Sequence, residues 1–245
     1  MRFLSFATGL LLLTAGCNVT PGGGHGAGHS PVESKPARVA AERQQQPARR
    51  KPVRAANAPK FDFYVMSLSW SPQHCSTPNG ERDKLQCAPG RLYDFVLHGV
   101  WPQFERGWPE NCNTQPVDRA TVDSMLDIMP SPQLVRHEWS KHGTCSGLEA
   151  KEYFAEARHA YELVKIPEQY QRPKLQVMAR PDEMRKRFAA ANPGFTEDSF
   201  AVVCSGRFLQ EVRACLSPDF DPRPCNREVL KNQCRVDEMI LRPVR

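Results

Sequence analysis

Residues 61–70 read FDFYVMSLSW. Aromatic and β-branched side chains crowd this stretch, the composition of a strand buried on both faces. Working outward, residues 75–92 collect Cys75, Pro78, Asn79-Gly80, Cys87 and Pro89-Gly90 and read as a loop. LYDFVLHGVWP, at 92–102, reads as a second strand ending near His98-Gly99, and 102–117 as another loop. Asp118 suits the N-cap of a helix over 119–129, with Val122, Met125, Leu126 and Met129 on one face. Further helices are expected over 133–143, 149–164 and 182–191. Residues 200–204 and 208–216 read as paired strands, and 239–241 as a short last one. Strands and helices do not alternate regularly. The expected class is therefore α+β, an antiparallel β-sheet packed with several helices. There is no sign of an internal repeat or of a second globular domain.

The ends of the chain have a different character. Residues 1–17, MRFLSFATGLLLLTAGC, carry one charge, Arg2, before an apolar run too short to span a bilayer. This is the form of a secretory signal peptide. It closes on Thr14-Ala15-Gly16-Cys17, small residues before a cysteine, which resembles a bacterial lipoprotein processing site with Cys17 as the lipidated residue. The alternative is plain cleavage and release. Of nine cysteines, eight remain once Cys17 is set aside, an even number that suits a disulfide framework in an oxidising compartment. Asn18 rather than Asp follows Cys17, which by analogy with bacterial sorting points to the outer membrane. The expected location is periplasmic or anchored at the outer membrane, with secretion as the alternative, and any membrane contact runs through that lipid.

The formal charge of +6 invites a nucleic-acid reading, but residues 1–60 alone hold nine basic and two acidic residues, so 61–245 carry −1. The basicity belongs to a tail, 18–59, rich in Pro, Gly, Ala, Gln and Arg and without apolar periodicity. It reads as a disordered linker reaching roughly 35 Å. His25 and His29 read as linker residues. The globular part is expected over 60–245.

Two segments carry chemistry: FVLHGVWP at 95–102 and HEWSKHGTC at 137–145. At about 100° per residue, His137, Glu138, Lys141 and His142 fall within an arc of roughly 140° on one helix face. Four ionisable groups there, beside Trp139 and Cys145, fit neither a core face nor an ordinary solvated one. A zinc protease places two histidines four residues apart, whereas His137 and His142 are five apart and rotated by roughly 140° in a helix. No metal site or cofactor is expected. Histidines on two separate segments, with Lys and Glu beside them, suit cleavage of RNA instead. RNA supplies its own nucleophile, the 2′-hydroxyl. The protein must supply a base, an acid for the leaving 5′-oxygen, and positive charge around the phosphorane-like state.

LHGVWP and HEWSKHGTC resemble the two active-site boxes of the ribonuclease T2 family, and the likeness extends over most of 61–245, including Ser71-Pro72-Gln73-His74-Cys75. The resemblance implies a secreted, metal-independent endoribonuclease of low base specificity acting on single-stranded RNA, as a monomer. It implies His142 as general base, His98 as general acid, His137 as phosphate ligand, and Glu138 and Lys141 as stabilisers of the pentavalent state. Trp101 is expected to stack on a base. Trp108 stands where the family usually has a Tyr, Gln103 where some members use an Asp that favours adenine, and Val100 where Leu is commoner. The implied disulfides are Cys75–Cys87, Cys112–Cys145, Cys204–Cys234 and Cys215–Cys225. His74 and His159 lack supporting neighbours and read as structural or exposed. The readings from other classes are an RNA-binding protein that keeps the fold without turnover, which would not need both acid–base histidines, and a metallohydrolase, which resistance to EDTA would exclude.

Overall fold

The computed structural model describes residues 52–54 and 58–245. Cys17, His25, His29, the signal segment and most of the linker lie outside the described residues. Residues 52–54 and 58–59 belong to the stretch read as linker. Arg54 already donates to the Pro218 carbonyl and lies over the Phe61 ring at 5.1 Å.

The elements run β1 (Phe63–Trp70), α1 (Ser71–His74), α2 (Pro78–Arg82), α3 (Lys84–Cys87), β2 (Phe95–Gln103), α4 (Arg119–Asp123), α5 (Pro132–Lys141), α6 (Ala150–Leu163), β3 (Val177–Ala179), α7 (Pro181–Ala191), β4 (Phe200–Ser205), β5 (Phe208–Leu216), α8 (Arg227–Leu230) and β6 (Met239–Leu241). The sheet order is β2-β1-β5-β6-β3, with β4 paired to β5. Every pairing is antiparallel except one parallel contact, Phe208 with Ile240. The α+β class is as expected, with that mixed contact added.

The segment read as a loop, 75–92, holds two short helices. Thr77 and Asp83 cap them, each accepting from a backbone N–H three residues on. Gly80 reads as a turn residue, yet its missing Cβ is what lets the backbone press on His74 and Cys75. The helix expected over 119–129 is regular only to Asp123. Beyond it, bonds such as Met125 N–H to Val122 O and Ile128 N–H to Met125 O span three residues rather than four. The apolar face survives, since Val122, Met125 and Met129 are all buried. The strand β3, which the sequence reading missed, is three residues long and only partly buried.

The sheet has two unlike faces, because side chains alternate along a strand. Tyr64, Met66, Leu68 and Trp70 of β1 enter the main core with residues of α5, α6 and α7. Phe63 and Val65 turn to the other face and pack with Ala201, Cys215, Cys225 and Val229. Ser67 and Ser69 continue that second face. Both faces of β1 are covered, as its composition implied. Four disulfides join Cys75–Cys87, Cys112–Cys145, Cys204–Cys234 and Cys215–Cys225, the same pairs that the resemblance implies.

Candidate active site

The second strand does not end at His98-Gly99; it runs on to Gln103 through an irregularity. Ser67 faces Gly99 and Leu68 faces Leu97, so His98 is an extra residue without a partner in the ladder, a β-bulge. The bulge keeps Leu97 in the core and turns the imidazole to the second face of the sheet. A matching irregularity in β5 leaves Gln210 unpaired between Leu209 and Glu211. Alternation then sets Glu211 and Arg213 on the second face with Cys215. Glu211 lies opposite Ser69 in the β1–β5 register. Across the short Ser67 and Ser69 side chains, His98 Nδ1 reaches Glu211 Oε1 at 2.8 Å.

The other half of the site comes from α5. Ser131 accepts from the Leu134 N–H, and Pro132 opens the helix where its missing donor costs nothing. Val135, Glu138 and Trp139 are buried, and the indole of Trp139 donates to Gln115 O at 2.7 Å, which makes Trp139 a core residue. The helix stops at Lys141, and a tight 3-10 turn, Gly143–Cys145, follows. A Cβ on Gly143 would strike the rings of Trp139 and Tyr153. Asn111, at φ 54°, donates its N–H to the Lys141 carbonyl, and the Cys112–Cys145 disulfide fastens the same loop to the helix end. His142 is therefore a cap residue rather than part of a continuous helix. The angular argument from helical spacing stops at Lys141, and the expectation of no metal site loses that support.

His98, Trp101, Gln103, Trp108, His137, Glu138, Lys141 and His142 all line one cleft of about 760 Å³. Every site residue expected among the described residues, the cysteines aside, meets there. The indole Nε1 of Trp101 donates to Glu138 Oε2 at 2.6 Å, and Glu138 Oε1 stands 3.7 Å from His98 Nε2. Trp101 lies edge-on to His98 at 5.2 Å and tilted to His142 at 5.5 Å, so it is in contact with both imidazoles. Gly99 makes this possible, since a Cβ there would collide with Glu138 and Trp101. Lys141 Nζ is 3.9 Å from Glu110. Trp108 is 57% exposed, the more open ring of the two.

The electrostatics of the two histidines diverge. Burial holds the His142 imidazole down to about 3, helped by the charges of Lys141, His137 and His98. Its Nδ1 is buried and without a hydrogen-bond partner among the described residues. Burial also works against a charged His98, but the hydrogen bond to Glu211 and the carboxylates of Glu211 and Glu138 outweigh it and raise its pKa. Burial pushes Glu138 up to about 6 against the pull of His98, Trp101 and Lys141. For Glu211, burial is overcome by His98 and Arg213, which hold it down at about 2. Environments that push two titrating groups apart are what an acid–base pair requires.

Glu211, Arg213 and Gln210 were not foreseen. The sequence carries no local signal for them: Glu and Arg two apart share one strand face, as polar residues on a solvated face would. His74, read as lacking supporting neighbours, pairs with Asp83 at 3.3 Å and lines a second pocket of about 490 Å³ that shares His98 and His137 with the cleft.

The family model described as Ribonuclease T2 family matches residues 61–225. A protein of Aeromonas hydrophila called a ribonuclease is 35% identical over 201 residues, covering 77% of this chain and 88% of that protein. Among solved structures, an RNase-related protein from Calystegia sepium aligns with a TM-score of 0.62 at 19% identity, covering 76% of this chain and 99% of the other. Ribonuclease MC1 from bitter gourd seeds aligns with a TM-score of 0.58 at 22% identity, covering 73% and 99%. At these identities the structural likenesses speak for the fold.

Proposed function

The chain belongs to the ribonuclease T2 family, and from that premise we propose how its cleft cleaves RNA. The protein is a metal-independent endoribonuclease acting on single-stranded RNA with low base specificity. His142, kept neutral by burial, takes the proton of the 2′-hydroxyl. His98, kept protonated between two carboxylates, gives its Nε2 proton to the leaving 5′-oxygen. His137 and Lys141 supply positive charge to the phosphoryl oxygens, and Glu138, fixed by the Trp101 indole, orders the groups around them. The 2′-oxygen bonds to phosphorus as the bond to the 5′-oxygen breaks, leaving a 2′,3′-cyclic phosphate. In a second step water attacks that ring. His98, now neutral at Nε2, takes the water's proton, His142 returns one to the 2′-oxygen, and a 3′-phosphate results. DNA lacks the 2′-hydroxyl and is refractory. Trp108 and Trp101 offer rings to the bases, and Gln103 an amide.

The observation that carries this reading is the meeting of His98 and His142 at the same Trp101 ring in one cleft. The test is cleavage of a short single-stranded RNA in excess EDTA, with the product ends identified by mass, for the wild type beside His142→Ala. Cyclic phosphate ends from the wild type, and none from the variant, are expected. RNA bound but uncut by disulfide-intact wild type would turn the reading to a binding protein, and cleavage abolished by EDTA to a metallohydrolase.

The protein is exported, in keeping with its four disulfides. Residues 1–17 act as the signal, Cys17 receives the lipid, and the linker that begins at residue 18 serves as a tether for a monomeric catalytic part in the periplasm. No helix among the described residues is long and apolar enough to cross a membrane. Intact mass of the membrane-bound protein checks the anchor, and an unmodified, soluble mature chain would refute it.

A further inference from the structure

We infer that Glu211 is a positioning residue for His98, and that Arg213 holds Glu211 in that task. The inference rests on the two-histidine reading above.

The two oxygens of the Glu211 carboxylate are divided between two partners. Oε2 accepts from Arg213 Nη2 at 2.7 Å and from Nε at 2.9 Å. Oε1 is left for His98 Nδ1 at 2.8 Å. Both arginine donors converge on one oxygen, which leaves the other to hold the ring. Glu211 is 3% exposed, so water does not compete for it. The contact is built into the sheet. Glu211 and His98 come from β5 and β2, on opposite sides of β1, and meet because β1 carries Ser67 and Ser69 between them. The bulge in β2 supplies the remaining turn of the imidazole. Arg213 also lies over the Trp101 ring at 5.3 Å, so the residue that braces Glu211 also covers the indole that holds Glu138.

This arrangement has a chemical consequence in both steps. With the Nδ1 proton committed to Glu211, the proton that His98 exchanges is always the one on Nε2. It leaves for the 5′-oxygen in the first step and is regained from water in the second, without a change of tautomer. The Glu211 charge also favours the protonated ring that the first step needs. Other charged groups share the surroundings of His98. From α5, Glu138 faces Nε2 at 3.7 Å, and His137 and Lys141 line the same cleft, as do the cap residue His142 and, from the α8 region, Glu228 and Lys231. Glu138 acts in the same direction as Glu211, and Arg213 acts against both.

The two braces therefore act as one unit. In Glu211→Gln the His98 resonance, assigned by its loss in His98→Ala, titrates at lower pH than in the wild type. The alkaline limb of kcat follows it downward, and kcat at neutral pH falls on the order of tenfold. In Arg213→Gln the carboxylate loses its anchor, so kcat falls as well, and adding Arg213→Gln to Glu211→Gln lowers kcat no further. A structural role alone would not move the His98 titration. Wild-type titration and pH profile in Glu211→Gln would overturn the inference and leave the two-histidine reading intact. If Glu211→Gln does not fold, Arg213→Gln decides: wild-type kcat in that variant overturns the inference. Wild-type turnover by His98→Ala would overturn the two-histidine reading itself, and the inference with it.

Discussion

His142 is 8% exposed, while His98 gives its Nδ1 to a carboxylate. The base must be neutral to act and the acid must be protonated. His142 held near 3 is neutral over almost the whole working range, so the acidic limb of kcat/KM lies far below the ordinary imidazole value of 6.5. His98, shifted upward, places the alkaline limb above 6.5. The profile expected with a dinucleotide substrate is a broad plateau reaching into acid; an acidic limb near 6.5 would contradict the burial of His142. Replacing His142 by Ala lowers kcat by roughly two to four orders of magnitude, checked by single-turnover cleavage. These histidines were legible in the sequence because each sits in a contiguous string of unusual neighbours. Glu211 and Arg213 were not, because FLQEVRACL reads as an ordinary strand whose polar residues face water. What gives them meaning is the register across β1, which is a property of the folded sheet.

Strands and helices were legible where periodicity was strong, and less so where a local break performs the function. The bulge at His98 looks in sequence like the end of a strand, since Gly99 and Pro102 are poor strand residues. In the structure Gly99 is a point of close approach under Glu138 and Trp101. Gly99→Ala is expected to destabilise by about 1–3 kcal/mol through overpacking, and to cut kcat as the Trp101–Glu138 bond is lost. Denaturant melts and steady-state rates check this, and an unchanged rate would detach that bond from catalysis. The break after α5 works in the same way. The helix must end at Lys141 for His142 to turn inward, and the loop at 111–113 secures that end through Asn111 and the Cys112–Cys145 bridge. Breaking this bridge with Cys112→Ser is expected to cost about 2–4 kcal/mol and to reduce activity more steeply than stability. Parallel losses in rate and in unfolding midpoint would show the bridge to be a brace for the fold alone.

The whole molecule carries the electrostatic cost of its cleft. Each displaced group links folding to pH with a definite sign. Glu211, held near 2 against its ordinary 4.5, contributes stability that is present above 4.5 and is lost as the pH falls toward 2. His98, raised, contributes stability that is full below 6.5 and is lost as the pH rises through its folded value. His142 and Glu138 act against the fold, because burial disfavours their charged forms. The unfolded chain protonates His142 below 6.5 while the folded one resists until about 3, so stability drops across that window. Glu138 works the other way: its penalty is present above about 6 and relaxes as the pH falls to 4.5. Below 4.5 Glu138 gives no further relief, and His142 and Glu211 both weaken the fold. The catalytic part should therefore lose stability steeply between 4.5 and 3 at a pH where the acid–base pair is still set for turnover. Replacing His142 by Asn removes one of the two terms. Urea unfolding midpoints of the disulfide-intact variant should then fall less between pH 6.5 and 3 than those of the wild type. Parallel curves would mean that His142 protonates as readily in the folded protein as in the unfolded chain, and the neutral base would have to be explained by something other than burial.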